Sequence, residues 1–189
     1  MLALGRRAKA PPVAVAQGDE IRMRRERSKT HPAASQPRTD RTPDRQLDAY
    51  GIRGKLPDPT ACPSCGAIYR AGRWAWGSPP ADAKRTTCPA CRRIEDDYPA
   101  GLVTISGEFA AAHAEEIRNL IHNVEEREKQ EHALKRVMAI EEQAEQLRVK
   151  TTDAKLARGI GEALHHAYRG ELDYRMSEAE NVLRVEWKR

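Results

Sequence analysis

The four cysteines of this chain form two Cys-Pro-x-Cys pairs, Cys62/Cys65 in CPSCG and Cys88/Cys91 in CPACR. One C-x-x-C turn brings two thiolates to the same side of a tight bend, and two such turns complete the tetrahedron of a four-cysteine site. Proline after the first cysteine fixes φ at about −65° and steadies each knuckle, leaving neighbouring backbone N–H groups free to point at sulfur. When all four positions are thiolate, no place remains for water or substrate, so a metal ion there folds the chain and does no chemistry. Two disulfides are the alternative. In a chain without a recognisable export signal, ligation is the expected state: one structural Zn2+ on Cys62, Cys65, Cys88 and Cys91.

The rest of the composition makes such a staple useful. Among 189 residues aromatics are only 5% and charged residues 32%, which leaves little for a large core. No apolar run approaches the roughly 20 residues of a membrane span. The opening MLALGRRAKAPPVAVAQG has a basic cluster at Arg6, Arg7 and Lys9, but its apolar stretch is short and interrupted by Pro11 and Pro12. It does not read as a signal peptide, and a cytoplasmic location is expected.

The net charge of +5 is unevenly placed: residues 1–50 hold eleven Lys/Arg against six Asp/Glu, whereas from Gly51 onward the two classes are equal at 22 each. This leading segment is rich in Pro, Arg, Ser and Thr, has no sustained periodicity, and reads as a disordered basic arm, residues 1–50. A short helix over Asp19–Ser28 would carry Arg22, Arg24, Arg25 and Arg27. Arms of this kind either track nucleic-acid phosphates or act as solubilising tails.

Residues 51–98 read as a zinc ribbon, with hairpins built on Ala67–Arg70 and on the Trp74–Trp76 stretch. Trp74 and Trp76 fall on the same side of any strand they share. They are expected to pack over the ribbon's own small core or against the next domain, with base stacking as the other reading. Arg70, Arg73, Lys84, Arg85, Arg92 and Arg93 surround the knuckles and are the candidate RNA contacts of this part, with Glu95, Asp96 and Asp97 opposing them.

From residue 99 to 189 the pattern turns regular. Gly101–Gly107 alternates as a strand, and a single helix is expected from Phe109 to about Gln130, with His113, Ile117, Leu120, Ile121 and Val124 on its apolar stripe. His113 there is expected to be packed, not to ligate. Leu134–Glu141 and Gln146–Thr151 read as a hairpin. Thr152 or Asp153 caps a second helix with Leu156, Ile160, Ala163, Leu164 and Ala167 inward, stopped by Gly170. His165 and His166 sit near its C-terminus, where imidazolium is favourable. Gly159 and Gly161 each cost this helix about 1 kcal/mol relative to Ala, which signals close backbone approach; Gly159 is expected to face the sheet beside Ala163. Glu171–Met176 and Asn181–Lys188 complete the strands. The order strand-helix-strand-strand-helix-strand-strand gives an α+β domain of ferredoxin-like (split βαβ) type with one strand added. Its uncovered face would carry Arg148, Lys150, Arg175, Arg184 and Lys188 with Asp173 and Glu186. That face lacks the aromatic pairs that stack RNA bases and reads as ordinary solvated surface.

Together CPSCGA, CPACRRIEDDYPAGLVTISGEF, EEIRNLIHNVEEREKQEHALKRVMAIEE, TTDAKLARGIGEALHHAYRGELDY and RVEWKR resemble the short bacterial relatives of the nonsense-mediated decay protein three family, over about Cys62 to Arg189. Archaeal and eukaryotic members of that family are zinc-ribbon proteins, and the eukaryotic one is an adaptor for export of the large ribosomal subunit. The larger members carry more C-x-x-C pairs and later domains that this sequence does not contain. The resemblance implies a ribosome- or RNA-associated binding protein whose zinc ligands are Cys62, Cys65, Cys88 and Cys91. Two other classes compete with that expectation. One is a protein-interaction adaptor that docks through the ribbon. The other is an RNA-processing hydrolase with His165 or His166 as base, for which no nucleophile or small-molecule site is recognisable.

Overall fold

The computed structural model describes residues 50–51, 54–143, 146–177 and 179–189, and these build two mixed sheets and four helices. The first sheet is made of short strands: β1 (Thr60–Ala61), β2 (Ile68–Arg70), β3 (Arg73–Ala75) and β4 (Lys84–Arg85), in the order β3-β2-β1-β4. The strands β2 and β3 form a tight hairpin through Ala71 and Gly72, both at positive φ. Helix α1 (Pro89–Glu95) closes this cysteine lobe. Its buried cluster is small: Cys62, Ala67, Trp74, Cys88, Ala90 and, from far along the chain, Ala133.

The second sheet is longer. It contains β5 (Gly101–Ser106), β6 (Val137–Gln143), β7 (Gln146–Thr151), β8 (Glu171–Ser177) and β9 (Val182–Lys188), in the order β6-β7-β5-β9-β8. The first three strands stand as β6-β7-β5, so β5 and β6 point the same way with β7 antiparallel between them. The last strand does not extend an edge: β9 inserts between β5 and β8 and runs parallel to β5. The apolar content explains the choice, because β9 brings Leu183, Val185 and Trp187 to the sheet centre, whereas β8 alternates half-buried Leu172 and Tyr174 with charged residues and takes the rim.

Side chains directly opposite across strands share a face. Val103 therefore lies between Val149 and Val185, and Ile105 between Leu147 and Trp187, all buried under the helices α2 (Glu108–Ala112), α3 (Ala114–Glu131) and α4 (Ala154–Tyr168). Ile117, Ile121 and Val124 of α3 and Leu156, Ile160 and Leu164 of α4 complete this core. The opposite face carries Arg148, Lys150, Arg175 and Arg184, and three of these four are paired: Lys150 with Asp97 and Glu141, Arg175 with Asp173, and Arg184 with Glu180.

Four expectations are corrected. The single helix over 109–130 is two, broken at His113 (φ −118°), whose ring stacks on Phe109 at 4.1 Å and meets Glu116 at 3.2 Å, while Glu115 and Glu116 begin the next helix where its dipole favours acids. The strand expected from Leu134 begins at Val137, because residues 133–136 are used by the cysteine lobe. Trp74 and Trp76 do not share a strand face, since β3 ends at Ala75 and Trp76 leaves the sheet.

The glycines of α4 are the fourth correction. Asp153 caps this helix by accepting from the Leu156 N–H at 3.0 Å, and its buried residues are Leu156, Ala157, Ile160, Gly161 and Leu164. A Cβ at Gly159 would meet open space, whereas one at Gly161 would fall 2.6 Å from Val185 Cγ1 and 3.1 Å from Leu172 Cδ1. Gly161, not Gly159, is the point of close approach to the sheet. Among the described residues no helix is long and apolar enough to cross a membrane. Both sheets belong to one compact unit.

Candidate metal centre

The two knuckles are built by local hydrogen bonding. Cys62 follows β1 directly; its N–H donates to Ala67 O at 2.8 Å and its carbonyl accepts from Gly66 N–H at 3.0 Å. Gly66 sits at φ +77°, a conformation costly for any residue with a Cβ, and so lets the turn close behind Cys65. The second knuckle is a helix start. Cys88 is the N-cap of α1, its sulfur accepting from Cys91 N–H at 3.4 Å, with Pro89 at the first helical position where the missing N–H costs nothing.

The register of β1 between β2 and β4 brings the knuckles together. Cys62 Sγ lies 3.8 Å from Cys91 Sγ, Cys65 Sγ lies 3.7 Å from Cys88 Sγ, and all four sulfurs are within 4.8 Å of one another. These contacts are far beyond the roughly 2.0 Å of a disulfide bond, and all four cysteines are free. A tetrahedron with metal–sulfur bonds of about 2.3 Å has edges of about 3.8 Å. The donor set thus fits one tetrahedral metal ion, with Cys62, Cys65, Cys88 and Cys91 as its ligands.

The electrostatics suit thiolates that share one site. Burial pushes the Cys62 thiol up, but backbone N–H groups of Cys88, Cys65 and Ser64 aimed at its sulfur hold it down at about 6. Burial raises Cys88, and repulsion from Cys65 adds to it; burial also raises Cys91, against a hydrogen bond from Arg136. Four clustered sulfurs cannot all ionise by themselves, and a bound cation removes that conflict while releasing protons.

Arg136 was not legible as part of this site. It lies between α3 and β6, is only 8% exposed, and directs its guanidinium at the cysteines: Nη2 donates to Cys65 Sγ at 3.0 Å and Cys88 Sγ at 3.8 Å, and Nη1 to Cys91 Sγ at 3.4 Å. Nε donates to Ala133 O at 2.9 Å. The ring of Trp76 lies 5.3 Å from the guanidinium carbon, and Trp76 Nε1 donates to Lys129 O at 2.6 Å. Ala133 and Leu134 fill the cysteine lobe's cluster. The end of α3 and the segment after it are therefore the seat of the metal centre.

The candidate basic contacts are distributed unevenly. Directly paired residues of the first sheet place Arg70 opposite Arg73, Ile68 opposite Ala75, and Ala61 opposite Arg85. Alternation puts Arg70, Arg73 and Arg85 on one face of the sheet, and Lys84 with Tyr69 and Trp74 on the other. Arg70, Arg73, Lys84, Arg85 and Arg92 are exposed. Arg93 is not: it is 4% exposed, its Nη1 donates to Tyr98 O at 3.1 Å, and its guanidinium lies 4.6 Å from the Tyr50 ring centre. It is removed from the set of RNA-contact candidates, because the end of α1 folds its side chain under the two tyrosines. Arg22, Arg24, Arg25 and Arg27 lie outside the described residues. His165 shares a hydrogen bond with Gly170 O at 3.0 Å where α4 ends.

Fold and site define a four-cysteine metal-site protein with an α+β lobe. Comparison with family models, with curated proteins and with solved structures finds no match.

Proposed function

We propose that this chain is a non-catalytic, cytoplasmic zinc-ribbon protein that binds RNA or the ribosome, with an elaborated ferredoxin-like domain as its rigid support. Zinc suits the centre because four thiolates in a closed tetrahedron are its usual structural site. The resemblance to the nonsense-mediated decay protein three family supports the ribosomal direction.

The observation that carries the reading is the arginine face of the cysteine lobe. Arg70 and Arg73 stand directly opposite each other, Arg85 is on the same face, and none of the three makes an ion pair among the described residues. Like charges directly opposite across strands are destabilising, and an anion lying over the face relieves that repulsion. The cations of the second sheet, by contrast, are mostly spent on acidic neighbours. A phosphate backbone supplies the anion, and three guanidiniums in fixed geometry select a shape.

The test is filter binding of the full chain to ribosomal subunits and to unrelated RNA over a range of salt concentrations. Replacing Arg70, Arg73 and Arg85 together by Ala is expected to weaken binding at low salt and to flatten the salt dependence by about 0.7–0.9 in logarithmic slope for each phosphate no longer engaged. Binding that ignores salt, or that survives the triple variant unchanged, overturns the phosphate reading and leaves the protein-adaptor class.

A further inference from the structure

Arg136 presents a buried cation to three sulfurs of the metal centre from the other lobe of the molecule. Four thiolates and a divalent ion leave two net negative charges in a site where Cys62 and Cys88 are buried. Such a charge is stabilised by hydrogen bonds that reach the sulfurs. The supply is shared: Cys62 receives a backbone N–H from Cys88 at 3.3 Å and Cys88 one from Cys91 at 3.4 Å, while the guanidinium of Arg136 reaches Cys65, Cys88 and Cys91. The guanidinium reaches the sulfurs through Nη1 and Nη2 while its Nε holds Ala133 O, a rigid fork that the single ammonium nitrogen of lysine does not reproduce.

Arg136 is also fixed from behind. Its N–H donates to Thr152 Oγ1 at 2.9 Å, Thr152 N–H returns to Arg136 O at 3.0 Å, and Thr152 Oγ1 reaches Leu134 O at 2.6 Å. Thr152 follows β7 directly, and β7 is paired on both sides. A continuous set of hydrogen bonds therefore runs from the sulfurs through Arg136 to an inner strand of the second sheet.

We propose that Arg136 is the positioning and charge-balancing residue of the metal centre, and that through it metal retention and docking of the cysteine lobe on the α+β lobe form one linked equilibrium. Metal binding stabilises the joint at residues 133–136, and by reciprocity an intact joint raises metal affinity. The inference rests on the metal reading of the site and is independent of the RNA reading.

The test uses the full chain under reducing conditions, with cobalt(II) as spectroscopic probe and zinc affinity measured by chelator competition. Arg136→Ala is expected to lower zinc affinity by about 10- to 100-fold and to shift the thiolate-to-cobalt charge-transfer band, because the N–H···S bonds are removed. Arg136→Lys restores only part of the affinity. Lys150→Met breaks a different link between the lobes, to Asp97 at 2.8 Å, without touching sulfur; it leaves the cobalt band in place. A merely structural Arg136 would leave the band unmoved. Zinc affinity for Arg136→Ala within about threefold of the unaltered protein, with an unchanged band, overturns the proposal. Failure of the unaltered protein to bind either metal overturns the metal reading itself and this inference with it.

Discussion

The two lobes reach a folded state by different means. The α+β lobe buries fifteen apolar residues in one cluster, seven on the strands β5, β7 and β9, each of six or seven residues, and eight on the helices above them. The cysteine lobe has strands of two or three residues and six buried residues in its cluster, of which two are cysteines and three alanines. Burial is worth about 25 cal/mol per Å2 of apolar surface, so Trp74 and a few methyl groups do not offset the ordering of roughly forty residues. A structural metal does: apparent binding free energies for four-ligand zinc sites are about 10–16 kcal/mol. One lobe is held by area, whereas the other has four cysteines placed to supply a coordination sphere.

The largest break in that comparison is Cys88→Ser. Loss of this ligand and N-cap is expected to abolish stoichiometric metal binding and to expose residues 54–98 to protease while the α+β lobe persists, as read by elemental analysis and limited proteolysis. Next is Trp187→Ala, which empties a fully buried site between Phe109 and Tyr168 and removes the bond from Trp187 Nε1 to Arg169 O. It should cost about 3–5 kcal/mol in denaturant unfolding while metal content stays unchanged.

Gly161→Val forces side-chain atoms onto Val185 and Leu172 and should cost about 1–3 kcal/mol, whereas Gly159→Ala, facing open space, should gain about 0.5–1 kcal/mol. Thermal melts that rank the two the other way would place α4 on its other face. The smallest loss is that of the cap: Asp153→Ala should cost about 1 kcal/mol, seen as a modest fall in melting temperature with the metal retained.

What the sequence made legible follows the same division. The ligands could be read because C-x-x-C is a local pattern that needs nothing distant to interpret it. The strands β5, β7 and β9 could be read because Val103/Ile105, Leu147/Val149 and Leu183/Val185/Trp187 alternate. The position of β9 could not, since either strand of the last hairpin can sit inside; the heavier apolar load of β9 over β8 is the signal that decides it. The misplaced glycine follows from that gap, because the rotation of α4 is set by where Val185 lies, and periodicity allows both Gly159 and Gly161 near the stripe.

Arg136 had no signal at all. It falls inside the strand expected over Leu134–Glu141, where nothing marks one charged residue as turned inward, and its partners lie 45 to 71 residues away. Arg93 misled for the opposite reason: it belongs to a visibly basic stretch, and only the packing of Tyr50 and Tyr98 around it shows that its charge is enclosed.

The central claim is that a metal on four thiolates holds one lobe while apolar packing holds the other. Hydrogen exchange of the full-length reduced protein, with and without a zinc chelator, tests it most directly. Chelation should strip protection from the amides of Cys62, Gly66, Cys88 and Cys91 and from residues 133–136, and leave Val103, Ile105, Val149 and Val185 protected. Metal-free, reduced protein whose knuckle amides remain as protected as before would contradict the account.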